Sequence, residues 1–196
     1  MSAKCSSAKA WVDLYWIPLG AGATLPIVGW SGRLFESVAA HRTRRQPQDL
    51  YHAALEIWLN EVRYTVEMAP AWGNSHGQDG VVGAGPVGLR LLGRSRFFRY
   101  EVRRWRNGVI PDLAEAVGGL TRVTDAVEPT VAALDAVSTF PRSTWGRDEL
   151  KTGDMWNSNS LVAWVLTCAG VDISTVAPPA GGRAPGWSAG VVAASR

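Results

Sequence analysis

The sequence predicts an α+β domain in which an antiparallel sheet carries one helix, beginning at Asn157, on its polar-looking face. Three observations lead there. Residues 53–68 alternate apolar and polar about a two-residue interruption, as a hairpin does. Residues 11–19 and 97–105 alternate in the same way and read as further strands. Residues 157–170 repeat apolar side chains at helical spacing between a capping asparagine and a glycine.

Composition bounds what the domain can be. A chain of 196 residues, 46% hydrophobic and 19% charged, is long enough and apolar enough to bury a core without staples. The two cysteines, Cys5 and Cys168, stand at neither metal-ligand nor redox spacing, so a disulfide framework and a metal site are not expected, nor is a cofactor. No run of about 18 apolar residues is free of proline or charge, so no membrane span is expected. Lys4 and Lys9 precede an apolar stretch, but Asp13 and Pro18 interrupt it and no small-residue cleavage site follows. A cytoplasmic protein is therefore expected. The net charge of +3 is concentrated, with seven arginines between Arg90 and Arg106.

In chain order, residues 1–10 read as a frayed tail, 11–177 as one domain and 178–196 as a tail rich in Pro, Gly and Ala. The first strand, 11–19, closes at Pro18. Leu34, Phe35, Val38 and Ala39 give residues 32–45 a helical period, with arginines in the last turn and Pro47 beyond it. In the hairpin, a turn at Asn60-Glu61 pairs Leu59 with Val62, Ile57 with Tyr64, Leu55 with Val66 and Ala53 with Met68. Continued to its end, that register sets Ala54 opposite Glu67 and makes His52 the diagonal neighbour of Glu67, about 7 Å away on the polar face.

Residues 70–80 are read as a loop containing His76. Gly83, Gly85 and Gly88 match the Gly-x-Gly-x-x-Gly fingerprint of dinucleotide-binding proteins. Only two valines precede them and Gly93 breaks any following helix, so a glycine-rich loop leading to a strand is the preferred reading over a flavin site. In 97–105, Phe98, Tyr100 and Val102 alternate with Arg99, Glu101 and Arg103, which accounts for interleaved arginines and aromatics without nucleic acid. Pro111 is expected to open a helix to about Val117. A second helix covers 128–137, with Asp125 near its cap and Pro129 in its first turn. A polar loop from 141 to 153 leads to the helix that begins at Asn157-Ser158. A short strand is expected at 190–194.

Ser158 lies three and four residues before Leu161 and Val162 and so shares their face, which turns its hydroxyl toward the core side. Serine there suits capping, and it also suits a nucleophile, because a helix N-terminus carries spare N–H donors and partial positive charge. The stretch Ser158-Asn-Ser-Leu-Val-Ala-Trp164 resembles the Cys-Ser-Gly-Leu-Val-x-Trp nucleophile helix of NlpC/P60-type papain-like peptidases. His52-Ala-Ala-Leu-Glu-Ile-Trp-Leu59, followed by Tyr64-Thr-Val-Glu67, resembles that superfamily's histidine strand and the strand after it. Here the histidine precedes the helix, the order of the circularly permuted branch that includes YiiX-like hydrolases and lecithin:retinol acyltransferase-like proteins.

The resemblance covers residues 49–70 and 154–166. It implies a permuted papain-like fold, a partly open barrel with a nucleophile helix, and an amide or ester hydrolase or acyltransferase acting on a small-molecule, peptide or lipid acyl substrate. Carried over by position, it implies His52 as general base, Glu67 as the residue orienting the imidazole, and Ser158 at the nucleophile position, where the family has cysteine. Asn157 and Asn159 are candidate donors to an oxyanion or substrate. A catalytically silent protein that binds or scaffolds is the alternative.

Overall fold

The hairpin lies at the centre of the sheet. The computed structural model describes residues 9–20, 48–71, 80–110 and 112–196; the expected helix at 32–45, Cys5 and His76 lie outside them. Strand β2 (Asp49–Leu59) turns at Asn60-Glu61 into β3 (Val62–Pro70), with Leu59 opposite Val62, Ile57 opposite Tyr64 and Leu55 opposite Val66. Asn60 and Glu61 take φ of 50° and 67°, the paired left-handed geometry of a two-residue turn whose twist matches the strands. Strands β1 (Ala10–Pro18), β4 (Val81–Pro86), β5 (Arg99–Arg106) and β6 (Leu120–Thr124) complete an open antiparallel sheet in the order β4-β5-β3-β2-β1-β6. Strand β7 (Gly182–Arg183) adds a short parallel pairing to Asp49 and Leu50 of β2.

Alternation decides the two faces. Val12, Leu14, Leu55, Ile57, Val66 and Val102 are buried on one side. Helix α1 (Val127–Thr139) sets Ala133 and Val137 on them, and helix α2 (Ser158–Cys168) sets Leu161, Val165 and Leu166 there. Helix α2 thus packs on the aliphatic face, whereas the polar-looking face was expected to receive it. Its own stripe is apolar and gains from burial only against apolar neighbours.

The opposite face is buried and polar. Asp13 stands directly across from Glu56, a repulsive pairing unless each is balanced. Arg122 Nε meets Asp13 at 2.5 Å and Arg63 meets Glu56 at 3.2 Å, while the Tyr15 hydroxyl donates to Glu56 at 3.1 Å.

Several expectations need correction. The glycine-rich stretch is a strand, β4, and Gly85 is required there because any Cβ would collide with the Tyr100 ring. The helix expected from Pro111 is one 3-10 turn, Leu113–Glu115, and β6 follows. Ala126, with no side-chain bond, is the N-cap of α1 in place of Asp125. Residues 190–194, expected as a strand, belong to helix α3 (Trp187–Ala194), which lies so close to α2 that a Cβ on Gly190 would strike the Ser160 carbonyl oxygen.

Candidate active site

The sheet splits at one place, and the site forms in the split. Odd-numbered residues of β2 face β3, since the two-residue turn closes on the Leu59 and Val62 pair. That ladder stops at Leu55 and Val66, whereas β3 stays paired with β5 as far as Pro70 opposite Tyr100. β2 meanwhile stays paired with β1 as far as Tyr51 opposite Pro18. Beyond Leu55, the edge of β2 loses its partner strand.

The N-terminus of α2 supplies a substitute. Asn159 is 2% exposed, and its carboxamide acts as a surrogate peptide group: Ala53 N donates to its Oδ1 at 2.7 Å, and its Nδ2 donates to Tyr51 O at 3.0 Å and Pro185 O at 2.8 Å. Asn157 caps the helix by accepting from Asn159 N and Ser160 N, and its Nδ2 donates to Pro185 O at 2.8 Å. Ser160 closes the capping box and donates from Oγ to Gly186 O at 2.7 Å. These bonds engage both carboxamides that the sequence offered as donors to an oxyanion or substrate. Their amides hold the helix in the split and do not line the cleft.

A cleft of about 150 Å³ remains between the diverging strands and the helix. β2 contributes His52, Ala53 and Ala54, and β3 contributes Val66, Glu67 and Met68. α2 contributes Ser158, Leu161 and Val162, and the loop after β5 contributes Ile110 and Asp112. Ala53 and Ala54, adjacent residues that point to opposite faces of the strand, both border the cleft. Ser158 shares its wall with Leu161 and Val162, as their spacing requires. The volume is below that of pockets that enclose a whole drug-sized molecule.

His52, Glu67 and Ser158 therefore reach one cleft from three elements. No direct hydrogen bond or ion pair joins His52 and Glu67 among the described residues, because the strands part before Ala54 can face Glu67. Burial alone acts on the imidazole, lowering its pKa to about 4. His52 is neutral at neutral pH. Asp112 was not foreseen as a site residue, since the sequence set it in the first turn of a helix expected from Pro111; burial, and next the charge of Glu115, raise its carboxyl above the ordinary range. The Asn157 cap takes the N–H groups of Asn159 and Ser160, which leaves Ser158 N as the first-turn donor with no partner among the described residues.

Among the described residues, no group of three or more His, Cys, Asp or Glu side chains is placed to hold a metal ion. No helix there is long and apolar enough to cross a membrane. Compared with known proteins, the chain matches no family model, no curated sequence and no solved structure.

Proposed function

We propose that the protein is an acyl-group hydrolase or transferase of the permuted papain-like kind, acting on an amide or ester with Ser158 as nucleophile and His52 as general base. The observation that carries this reading is the shared cleft, which collects His52, Glu67 and Ser158 from segments some hundred residues apart. Ser158 Oγ attacks the acyl carbon, its proton passes to His52, and His52 returns it to the leaving group. Water or a second nucleophile then releases the acyl group. The Ser158 N–H and the positive end of α2 face the developing oxyanion.

A neutral imidazole suits serine. Cysteine chemistry gains from an imidazolium that stabilises a thiolate, whereas a serine hydroxyl needs a base able to accept its proton during attack. Glu67 and Asp112 contribute acid groups at the walls, without a bond to the ring. The missing bond to Glu67 and the saturated Asn159 amide favour one second reading, a binding protein that keeps the cleft and performs no chemistry.

Labelling with a serine-directed fluorophosphonate separates the two. The expected result is covalent labelling abolished by Ser158→Ala and reduced by about a hundredfold or more in His52→Ala, the usual scale for loss of a positioned base. Equal labelling of the parent and Ser158→Ala would leave only the binding reading.

A further inference from the structure

The segment joining β4 to β5, which contributes no residue to the lining of the cleft, carries chemistry the fold does not use. It consists of two one-turn 3-10 helices, Arg90–Arg94 and Arg96–Phe98, neither with a buried residue. Leu89, Leu91, Leu92, Phe97 and Phe98 are all exposed, Leu91 at 86% and Phe97 at 74%. Single exposed apolar residues are ordinary on protein surfaces, but five within ten positions make a patch. The backbone that displays them is fixed. Gly93 sits against Pro86, where a Cβ would lie 2.7 Å from the Pro86 Cβ, and Val87 N donates to Phe98 O at 2.8 Å. Arg96 Nε donates to Ala71 O at 3.2 Å.

Charge is the second, independent observation. Between Val81 and Tyr100 the chain has four arginines and no acidic residue. Arg90, Arg94 and Arg99 line an open hollow of about 290 Å³ floored by Gly85, Pro86 and Gly93. None of the three guanidinium groups has a hydrogen-bond or ion-pair partner among the described residues. Three like charges round one hollow repel each other until an anion joins them, and guanidinium matches phosphate through paired N–H donors.

We infer that this segment docks the protein on the surface of an anionic phospholipid bilayer, its leucine and phenylalanine side chains entering the acyl boundary while Arg90, Arg94 and Arg99 hold head-group phosphates. Apolar residues interleaved with arginines are what an interfacial site needs. A nucleic acid would use the arginines and the phenylalanine rings but would leave Leu89, Leu91 and Leu92 in water. Among the described residues β4 is the edge strand of the sheet, and the segment continues from that edge. Docking does not depend on the chemistry of the cleft.

The test is co-sedimentation of the full chain with vesicles of phosphatidylcholine alone and of phosphatidylcholine mixed with phosphatidylserine. The expected result is partition onto the mixed vesicles only. An Arg90→Gln, Arg94→Gln, Arg99→Gln variant should lose affinity by about a hundredfold, some fivefold for each cation removed. A Leu91→Asp, Phe97→Asp variant should lose binding by a similar factor, with circular dichroism and Tm unchanged in both. Should either misfold, Arg94→Gln and Leu91→Ser carry the same comparison. No partition, equal partition onto phosphatidylcholine alone, or complete displacement by soluble inorganic phosphate would overturn the proposal. So would full retention of vesicle binding by the apolar variant together with tight single-stranded DNA binding that only the arginine variant loses.

Discussion

His52 sits where a protonated ring is penalised and no carboxylate is bonded to offset the penalty. Its pKa falls from 6.5 in the open chain to about 4 in the folded protein. Between those values the unfolded chain binds a proton that the folded protein refuses, so stability is complete above pH about 6.5 and declines as pH falls toward about 4. The full shift corresponds to at most about 3 kcal/mol, reduced where the ring still meets solvent in the cleft. Urea unfolding at pH about 7.5 and about 4.5 should therefore show a larger loss in the parent than in His52→Asn, which has no titrating group at this position. Parallel losses would mean that His52 is not the group involved. At this scale the sequence was half readable. Period-2 alternation is local, so it made legible the two strands that carry His52 and Glu67 and the turn that joins them. The separation of His52 from Glu67 depends on where two strands part, which no local pattern encodes.

The parting of β2 from β3 makes Asn159 a structural part of the sheet. An edge that loses its partner strand inside a protein must find donors and acceptors elsewhere. One carboxamide serves Ala53 N, Tyr51 O and Pro185 O together. Replacing it with alanine leaves two buried backbone groups, Ala53 N and Tyr51 O, without this partner, while Pro185 O keeps Asn157 Nδ2, at a cost of at least about 2 kcal/mol. Asn159→Asp should cost more at neutral pH, because a carboxylate would face the Tyr51 and Pro185 carbonyl oxygens with no proton to give them. Chemical denaturation of the two variants checks the order, and a loss below about 0.5 kcal/mol in either would show the edge satisfied without this residue. The sequence identified α2, its Asn157 cap and its Gly170 stop from spacing alone. It offered Asn157 and Asn159 as ligand donors because capping and edge pairing use the same side-chain chemistry as oxyanion binding.

At the scale of the molecule, residues 190–194 were expected as a strand and belong to helix α3. The Pro, Gly and Ala content of 178–196 carries no apolar stripe at helical spacing that would have set the period. What orders this segment is close approach. Pro185 O holds both asparagine amides, Gly186 O receives Ser160 Oγ, Gly186 N donates to Asp154 at 2.6 Å, and Trp187 packs on Trp16 with ring centroids 5.3 Å apart. Small residues are needed because the chain runs against the N-terminus of α2, and the hairpin and α2 were legible because their periods are written in consecutive residues. Gly186 and Gly181 isolate the effect. Both have positive φ, 93° and 80°, so alanine strains either by about 1–2 kcal/mol. At Gly181 an added Cβ meets nothing within 4 Å, whereas at Gly186 it strikes the carboxamide of Asn157. Displacing that cap adds about 1–2 kcal/mol. Gly186→Ala should thus lower stability by about twice as much as Gly181→Ala. If Ser158 is the nucleophile, Gly186→Ala should also slow its fluorophosphonate labelling while Gly181→Ala leaves the rate unchanged, because only the first moves the turn that presents the hydroxyl. Equal stability losses in the two variants would show that the C-terminal segment does not brace the serine helix.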